Sequence, residues 1–210
     1  METPTKTLIY QEIPNSRKLL EIAYSKILGQ KKDYFLHYKY ELIKQYYGTK
    51  CLDIGAGNGS YSKFLRGKEH QVTSIDVVDK SEEEQNHNIR LFNGQDIPYR
   101  DNAFDTSLLM FVLHHTNVQQ ELISDCIRVT RNYIIIAEDV IQNKFDALIG
   151  AIHLNTSPWD KGNDSFRSHN QWRDFFLKNN LELVETVTIS RWAYPVYPVA
   201  RKVYVLKIHK

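Results

Sequence analysis

The 210-residue chain is 42% apolar and 25% charged. That is the balance of an ordinary globular protein, and it excludes a disordered or fibrous one and leaves room for a single α/β domain. A net charge of +2 and a pI near 8.4, with basic residues scattered, are too mild to predict a nucleic-acid partner, and the absence of an Asn-Pro-Pro-Tyr-like, Asp-Pro-Pro-Tyr-like or Pro-Cys motif disfavours one.

Cys51 and Cys126 sit in apolar segments without CxxC or Cys/His spacing, so neither a disulfide framework nor a metal site is expected. The first residues lack the apolar stretch of a signal peptide, and no segment is long enough to span a bilayer. A cytoplasmic protein without a membrane partner is the default expectation.

In chain order, Ser16 to Leu28 and Tyr34 to Tyr47 carry Leu, Ile and Tyr at helical spacing. Lys50 to Ile54 is a short apolar strand, Gly55 to Gly59 a turn, and Ser60 to Arg66 a helix with Tyr61, Phe64 and Leu65 on one face. Strands follow at Val72 to Ile75, Ile89 to Phe92 and Thr106 to Leu113, with a polar helical piece around Lys80 to Gln85. Val118 to Thr130 reads as a helix. Tyr133 to Ala137 is a continuous apolar run, the mark of a strand buried on both faces. This alternation predicts a parallel sheet with right-handed crossovers.

Beyond Asp139 come a helix over Lys144 to Leu154, a polar loop over Asn155 to Arg167, and a helix over Asn170 to Asn179 capped by Ser168 or Asn170. Leu181 to Ser190 and Lys202 to His209 are β-rich, flank the Tyr/Pro stretch Trp192 to Pro198, and are expected to pair as an antiparallel edge hairpin.

Glycines at 55, 57 and 59 allow a tight turn and leave no side chain between the backbone and a ligand. Two cofactor classes compete for such a turn. A dinucleotide fingerprint needs G-x-G-x-x-G, whereas here the third glycine arrives one residue early and position 60 is Ser. Asp53, at the strand end, would repel a pyrophosphate and suits a cofactor bearing an ammonium group. Asp76, at the end of the second strand, is placed to accept the hydroxyls of a ribose, with Asp79 as the alternative.

Cys51-Leu52-Asp53-Ile54-Gly55-Ala56-Gly57-Asn58-Gly59 closely resembles motif I of the class I S-adenosylmethionine-dependent methyltransferases. Ser74-Ile75-Asp76-Val77 is similar to their second motif. Asn93-Gly94-Gln95-Asp96-Ile97-Pro98, with Asn102-Ala103-Phe104-Asp105, is similar to the segment that reads the adenine. Leu108 to His115 resembles the fourth strand of the small-molecule, type 11-like branch, whose end, here Phe111, lies beside the methionine part of the cofactor.

The resemblance runs from about residue 48 to 140. It implies a Rossmann-like three-layer α/β sandwich with a seven-stranded, mostly parallel sheet and an antiparallel last strand. It also implies S-adenosylmethionine as cofactor, S-adenosylhomocysteine as product, and a cofactor site at Asp53, Gly55, Ala56, Gly57, Asn58, Gly59, Asp76, Val77, Gln95, Asp96, Ile97 and Phe111. In that family the acid matching Asp96 accepts the adenine amino group, and the neighbours matching Val77 and Ile97 sandwich the ring. One departure is visible: Arg131-Asn132-Tyr133 enters the fifth strand without the usual Pro-Gly-Gly, which predicts a tighter turn there.

The expected organisation is one domain over 1–210, with a helical N-terminal lid over 1–47, a cofactor core over 48–140, and a substrate-side insertion with the terminal strands over 141–210. The expected reaction is O- or N-methylation of a small-molecule acceptor by a monomer or homodimer. Candidate bases after strands four and five are His115, His114 and Glu138, with Asp139 and His153 further candidates. Adjacent His114 and His115 should face opposite ways if the strand continues through them, and Asp139 is a possible cap of the next helix. A non-catalytic cofactor-binding subunit and a nicotinamide-dependent oxidoreductase are the rival readings.

Overall fold

In the computed structural model the described residues are 39–78, 88–156, 166–189, 191 and 198–209. Contacts divide the chain into Met1–Lys39 and Tyr40–Lys210, and the sheet belongs to the second unit. The expected N-terminal helices up to residue 38, the helical piece at Lys80 to Gln85, most of the polar loop before Arg167 and nearly all of the Tyr/Pro stretch lie outside the described residues.

After helical residues 40–43 and a single 3-10 turn at Lys44–Tyr46, the alternation begins. The elements are β1 (Lys50–Ile54), α1 (Ser60–Arg66), β2 (Gln71–Asp76), β3 (Ile89–Leu91), β4 (Phe104–Met110), α2 (Gln119–Val129), β5 (Thr130–Val140), α3 (Lys144–Thr156), α4 (His169–Lys178), β6 (Leu181–Ile189) and β7 (Ala200–Ile208). They build one seven-stranded sheet in the order β3-β2-β1-β4-β5-β7-β6. β1 to β5 run parallel, and β7 lies antiparallel to both of its neighbours.

The sequence explains why β7 sits inside the sheet and β6 outside it. β7 carries Val203, Tyr204, Val205 and Leu206, all buried, and such a run needs cover on both faces. β6 alternates apolar residues with Glu182, Glu185 and Thr188, is only half-buried, and shifts register between Leu183 and Glu185. Charges and a bulge suit an exposed edge. The two terminal strands pair antiparallel at one edge of the sheet, as expected, with β7 lying between β5 and β6.

One face of the sheet packs Leu52, Ile54, Leu109, Ile134, Ile136, Tyr204 and Leu206 against Leu122, Ile123 and Cys126 of α2 and Trp172 and Phe176 of α4. Each fully buried Leu or Ile there contributes about 1.5 to 3 kcal/mol. Ser168 caps α4 through a capping box with Gln171, which decides between the two expected caps.

Helix α2 passes into β5 with no loop: Val129 is its last residue and Thr130 the first of the strand. Thr130 Oγ1 donates to the Cys126 carbonyl at 2.6 Å and lies 2.6 Å from Ser107 Oγ on β4. A hydroxyl bonded to both helix and sheet does the work of the missing turn, so β5 starts three residues before the apolar run.

Candidate functional site

Ligands of open α/β sheets bind beyond the carboxyl ends of the strands, so the site is sought where β1, β2, β4 and β5 end. A cleft of about 600 Å³ lined by Lys50, Arg66, His70 and Phe104, among others, opens instead by the amino ends of β1 and β4. None of the expected cofactor or catalytic residues lines it.

Past β1, Gly55, Gly57 and Gly59 all have φ between 60° and 75°, the left-handed region where a side chain is strained. The amides of Gly55 and Ala56 both donate to the Ile75 carbonyl, at 2.8 and 3.1 Å, tying the loop to β2. A side chain at Gly55 is excluded by packing, since its Cβ would stand 2.6 Å from Val112 Cγ2. A Cβ at Gly57 would meet nothing within 4 Å. Gly55 thus receives the turn after β4, and Gly57 faces open space.

The Gly57 amide donates to Asp76 Oδ2 at 2.7 Å, and the amides of Val77 and Val78 donate to Oδ1 at 2.7 and 3.2 Å. One carboxylate therefore joins the glycine loop to the end of β2. Val77 is 48% exposed, a large apolar side chain left open beside that carboxylate. Gly94 (φ 86°) brings the 93–97 loop against it, for a Cβ there would sit 3.2 Å from Val77 Cγ1. In that loop Asn93 Oδ1 accepts from the amides of Gln95 and Asp96, and its Nδ2 donates to Asp96 Oδ2 at 2.7 Å.

The structure gathers Gly57, Asp76, Val77, Gln95 and Asp96 along one edge, but it places two expected residues differently. Ile97 is buried in the core with its amide 2.5 Å from Asp125 Oδ2, so its side chain supports the loop from below. Asp53 is buried too; its Oδ2 accepts from Ser62 Oγ at 2.6 Å, Ser74 Oγ donates to Ser62 at 2.7 Å, and Arg66 donates to Ser74 at 2.8 Å. This relay fastens α1 beneath the loop. Asn58 is exposed and accepts from Ser60.

Sequence reasoning missed Arg128, which donates to the carbonyls of Ile97 and Tyr99 and pairs with Asp125 and Asp101. Only its position in the last turn of an amphipathic helix hinted at a structural role.

After β4 the strand does not continue through His114 and His115, so the condition on which they would face opposite ways is not met. The strand stops at Met110, Phe111 takes φ 63°, and Leu113–His115 form a 3-10 turn. The two imidazoles lie side by side, centroids 4.1 Å apart. His114 is buried, stacks on Phe166, and donates from Nδ1 to Glu138 Oε2 at 2.5 Å; Glu138 Oε1 accepts the Leu113 amide at 2.8 Å.

Burial disfavours the imidazolium form of His114, but the charge and hydrogen bond of Glu138 outweigh it and hold the pKa above the ordinary value. His115 is only partly buried. Asp139 is buried against Arg201, Nε to Oδ1 3.1 Å. It does not cap α3: Asn143 does, accepting the Asp146 amide at 2.9 Å. The side chain of His153 lies outside the described residues. Among the described residues no group of His, Cys, Asp and Glu is arranged to hold a metal, and no helix is long and apolar enough to cross a membrane.

A family model described as "Methyltransferase domain" matches residues 52–136. A demethylmenaquinone methyltransferase of Tropheryma whipplei is 32% identical over 92 residues, which is 40% of this chain and 38% of that protein. The chain thus spans about two fifths of the length of that curated relative. Among solved structures, a SAM-dependent methyltransferase from Methanosarcina mazei aligns with a TM-score of 0.64 at 16% identity, over 80% of this chain and 97% of that one. The 1,6-didemethyltoxoflavin-N1-methyltransferase of Burkholderia thailandensis, solved with 1,6-didemethyltoxoflavin and S-adenosylhomocysteine, aligns with a TM-score of 0.62 at 12% identity, over 96% and 94%. These structures share the fold.

Proposed function

We propose that this chain, whose residues 52–136 belong to the class I S-adenosylmethionine-dependent methyltransferase superfamily, type 11 branch, methylates a small molecule at the carboxyl edge of its sheet. The observation that carries this reading is Gly57: left-handed, with open space where a side chain would be, and its amide held by Asp76. A cradle that a Cβ would fill fits a cofactor laid directly on backbone.

Bound there, S-adenosylmethionine supplies an electrophilic methyl group and leaves as S-adenosylhomocysteine. Asp76 already accepts the amides of Gly57, Val77 and Val78 and retains, of a carboxylate's roughly four acceptor sites, one for a ribose hydroxyl. Exposed Val77 offers an apolar face to the adenine, with Gln95 and Asp96 as polar partners at its rim. Phe111, turned out of β4, and Val112, packed on Gly55, border the reacting end.

Alignment of acceptor and methyl group, with exclusion of water, is most of what the protein must supply. A hydroxyl acceptor must also lose a proton, whereas a carboxylate need not, and His115, partly buried after β4, is the group proposed to take it. Glu138 and His114 are already bonded to each other and to the turn.

Calorimetry with S-adenosylmethionine, S-adenosylhomocysteine and NAD tests the cofactor. Micromolar binding of the first two is expected, and binding of NAD alone overturns the reading. Methyl uptake from labelled cofactor across a metabolite panel then identifies the acceptor.

A further inference from the structure

The buried His114–Glu138 pair links β5 to the glycine loop through the turn after β4. Glu138 is wholly buried and spends both oxygens on the turn after β4: Oε1 accepts the Leu113 amide and Oε2 accepts His114 Nδ1. From the other side Gln119, the first residue of α2, donates to the Leu113 carbonyl at 2.6 Å. The turn so held contains Val112, the side chain that leaves no room for a Cβ on Gly55. The same turn bears His115, whose amide donates to the Val112 carbonyl at 2.9 Å.

We propose that His114 and Glu138 are positioning residues, a clasp whose hydrogen bonds hold Val112 against Gly55 and so keep the cofactor loop preformed. His114 in this role acts through the N–H it offers to Glu138, not through proton transfer to an acceptor. The consequence for affinity rests on the proposed use of S-adenosylmethionine; the mechanical coupling between the two loops does not.

Hydrogen exchange of the ligand-free protein, followed by mass spectrometry, tests the coupling directly. It compares peptides covering 55–59, 111–115 and 203–206, the last reporting opening of the sheet core. His114→Ala should raise exchange about tenfold in the first two and leave the third unchanged, the scale of an ordinary coupling between sites. His114→Asn, which keeps a donor where Nδ1 stood but cannot serve as a base, should restore both.

The proposal is overturned if 55–59 does not change in His114→Ala, because then the clasp ends at its own turn. It is overturned equally if all three peptides speed up together, which marks a stability effect alone, or if His114→Asn matches His114→Ala.

Calorimetry with S-adenosylhomocysteine on the same variants reads the functional side. A dissociation constant raised about tenfold in His114→Ala and restored in His114→Asn supports the clasp, and an unchanged constant in both counts against it. A wild type that fails to bind S-adenosylhomocysteine refutes the cofactor reading, while exchange still decides the clasp.

Discussion

The two halves of the sheet's carboxyl edge are built on different physics. Beyond β1 and β2 the site is mostly backbone: left-handed glycines, amides gathered on Asp76, and an exposed Val77. Beyond β4, β5 and β7 it is made of charged side chains taken out of water in pairs, His114 with Glu138 and Asp139 with Arg201. The first half leaves surface open for a ligand. The second uses its polar groups on one another, and Val112 against Gly55 is where the halves touch.

Substitutions at that contact should have the largest effect. Gly55→Ala meets a left-handed backbone, worth about 1 to 3 kcal/mol, and an overpacked Val112, worth a similar amount. Denaturant unfolding should show a loss of about 2 to 6 kcal/mol, and a stability equal to wild type would mean that Val112 does not fill the space beside Gly55. Gly57→Ala lacks the clash and should cost only the backbone part while blocking cofactor binding. Calorimetry beside unfolding separates these two outcomes.

Next comes the charged half. Arg201→Leu strands Asp139 inside the protein, and breaking a buried pair from one side costs about 3 to 5 kcal/mol. The double variant Asp139→Leu/Arg201→Leu should recover much of that in the same unfolding experiment. Failure to recover would show that these charges hold more than each other.

A smaller effect is expected from Asp76→Ala, which removes the acceptor of the Gly57 amide together with its proposed ribose contact. Cofactor affinity should fall by about 1 to 3 kcal/mol with little change in the charged half. Unchanged affinity would move the ribose role to Asp79, which lies outside the described residues, or discard it.

The smallest prediction concerns pH. His114 binds its proton more tightly folded than unfolded, since Glu138 and Asp139 outweigh burial and Arg201. Its contribution is therefore complete below the ordinary imidazole range and is lost as pH rises through the elevated value. Melting temperature should decline over that window, and His114→Asn should flatten the decline.

How legible each half is in the sequence follows from the same contrast. Gly57 and Asp76 stand 19 residues apart, and their signal is that spacing after a glycine turn, which a single chain displays. The role of Asp53 is harder to see, because Ser62, Ser74 and Arg66 become its neighbours only once α1 has packed beside β1 and β2. The fourth strand reads as running to Leu113 because the apolar run continues that far, and apolarity alone does not reveal a turn begun by Phe111 at φ 63°.

By itself the sequence determined the order of strands and helices, the glycine turn after β1, and the absence of a conventional turn before β5, all of which rest on local periodicity and backbone preference. Tertiary structure decided that β7 lies between β5 and β6, that Glu138 holds the turn after β4, and that Asp139 pairs with Arg201 instead of capping a helix. Such pairings depend on which distant strands become neighbours, and a buried charge has no partner until the sheet has brought one to it.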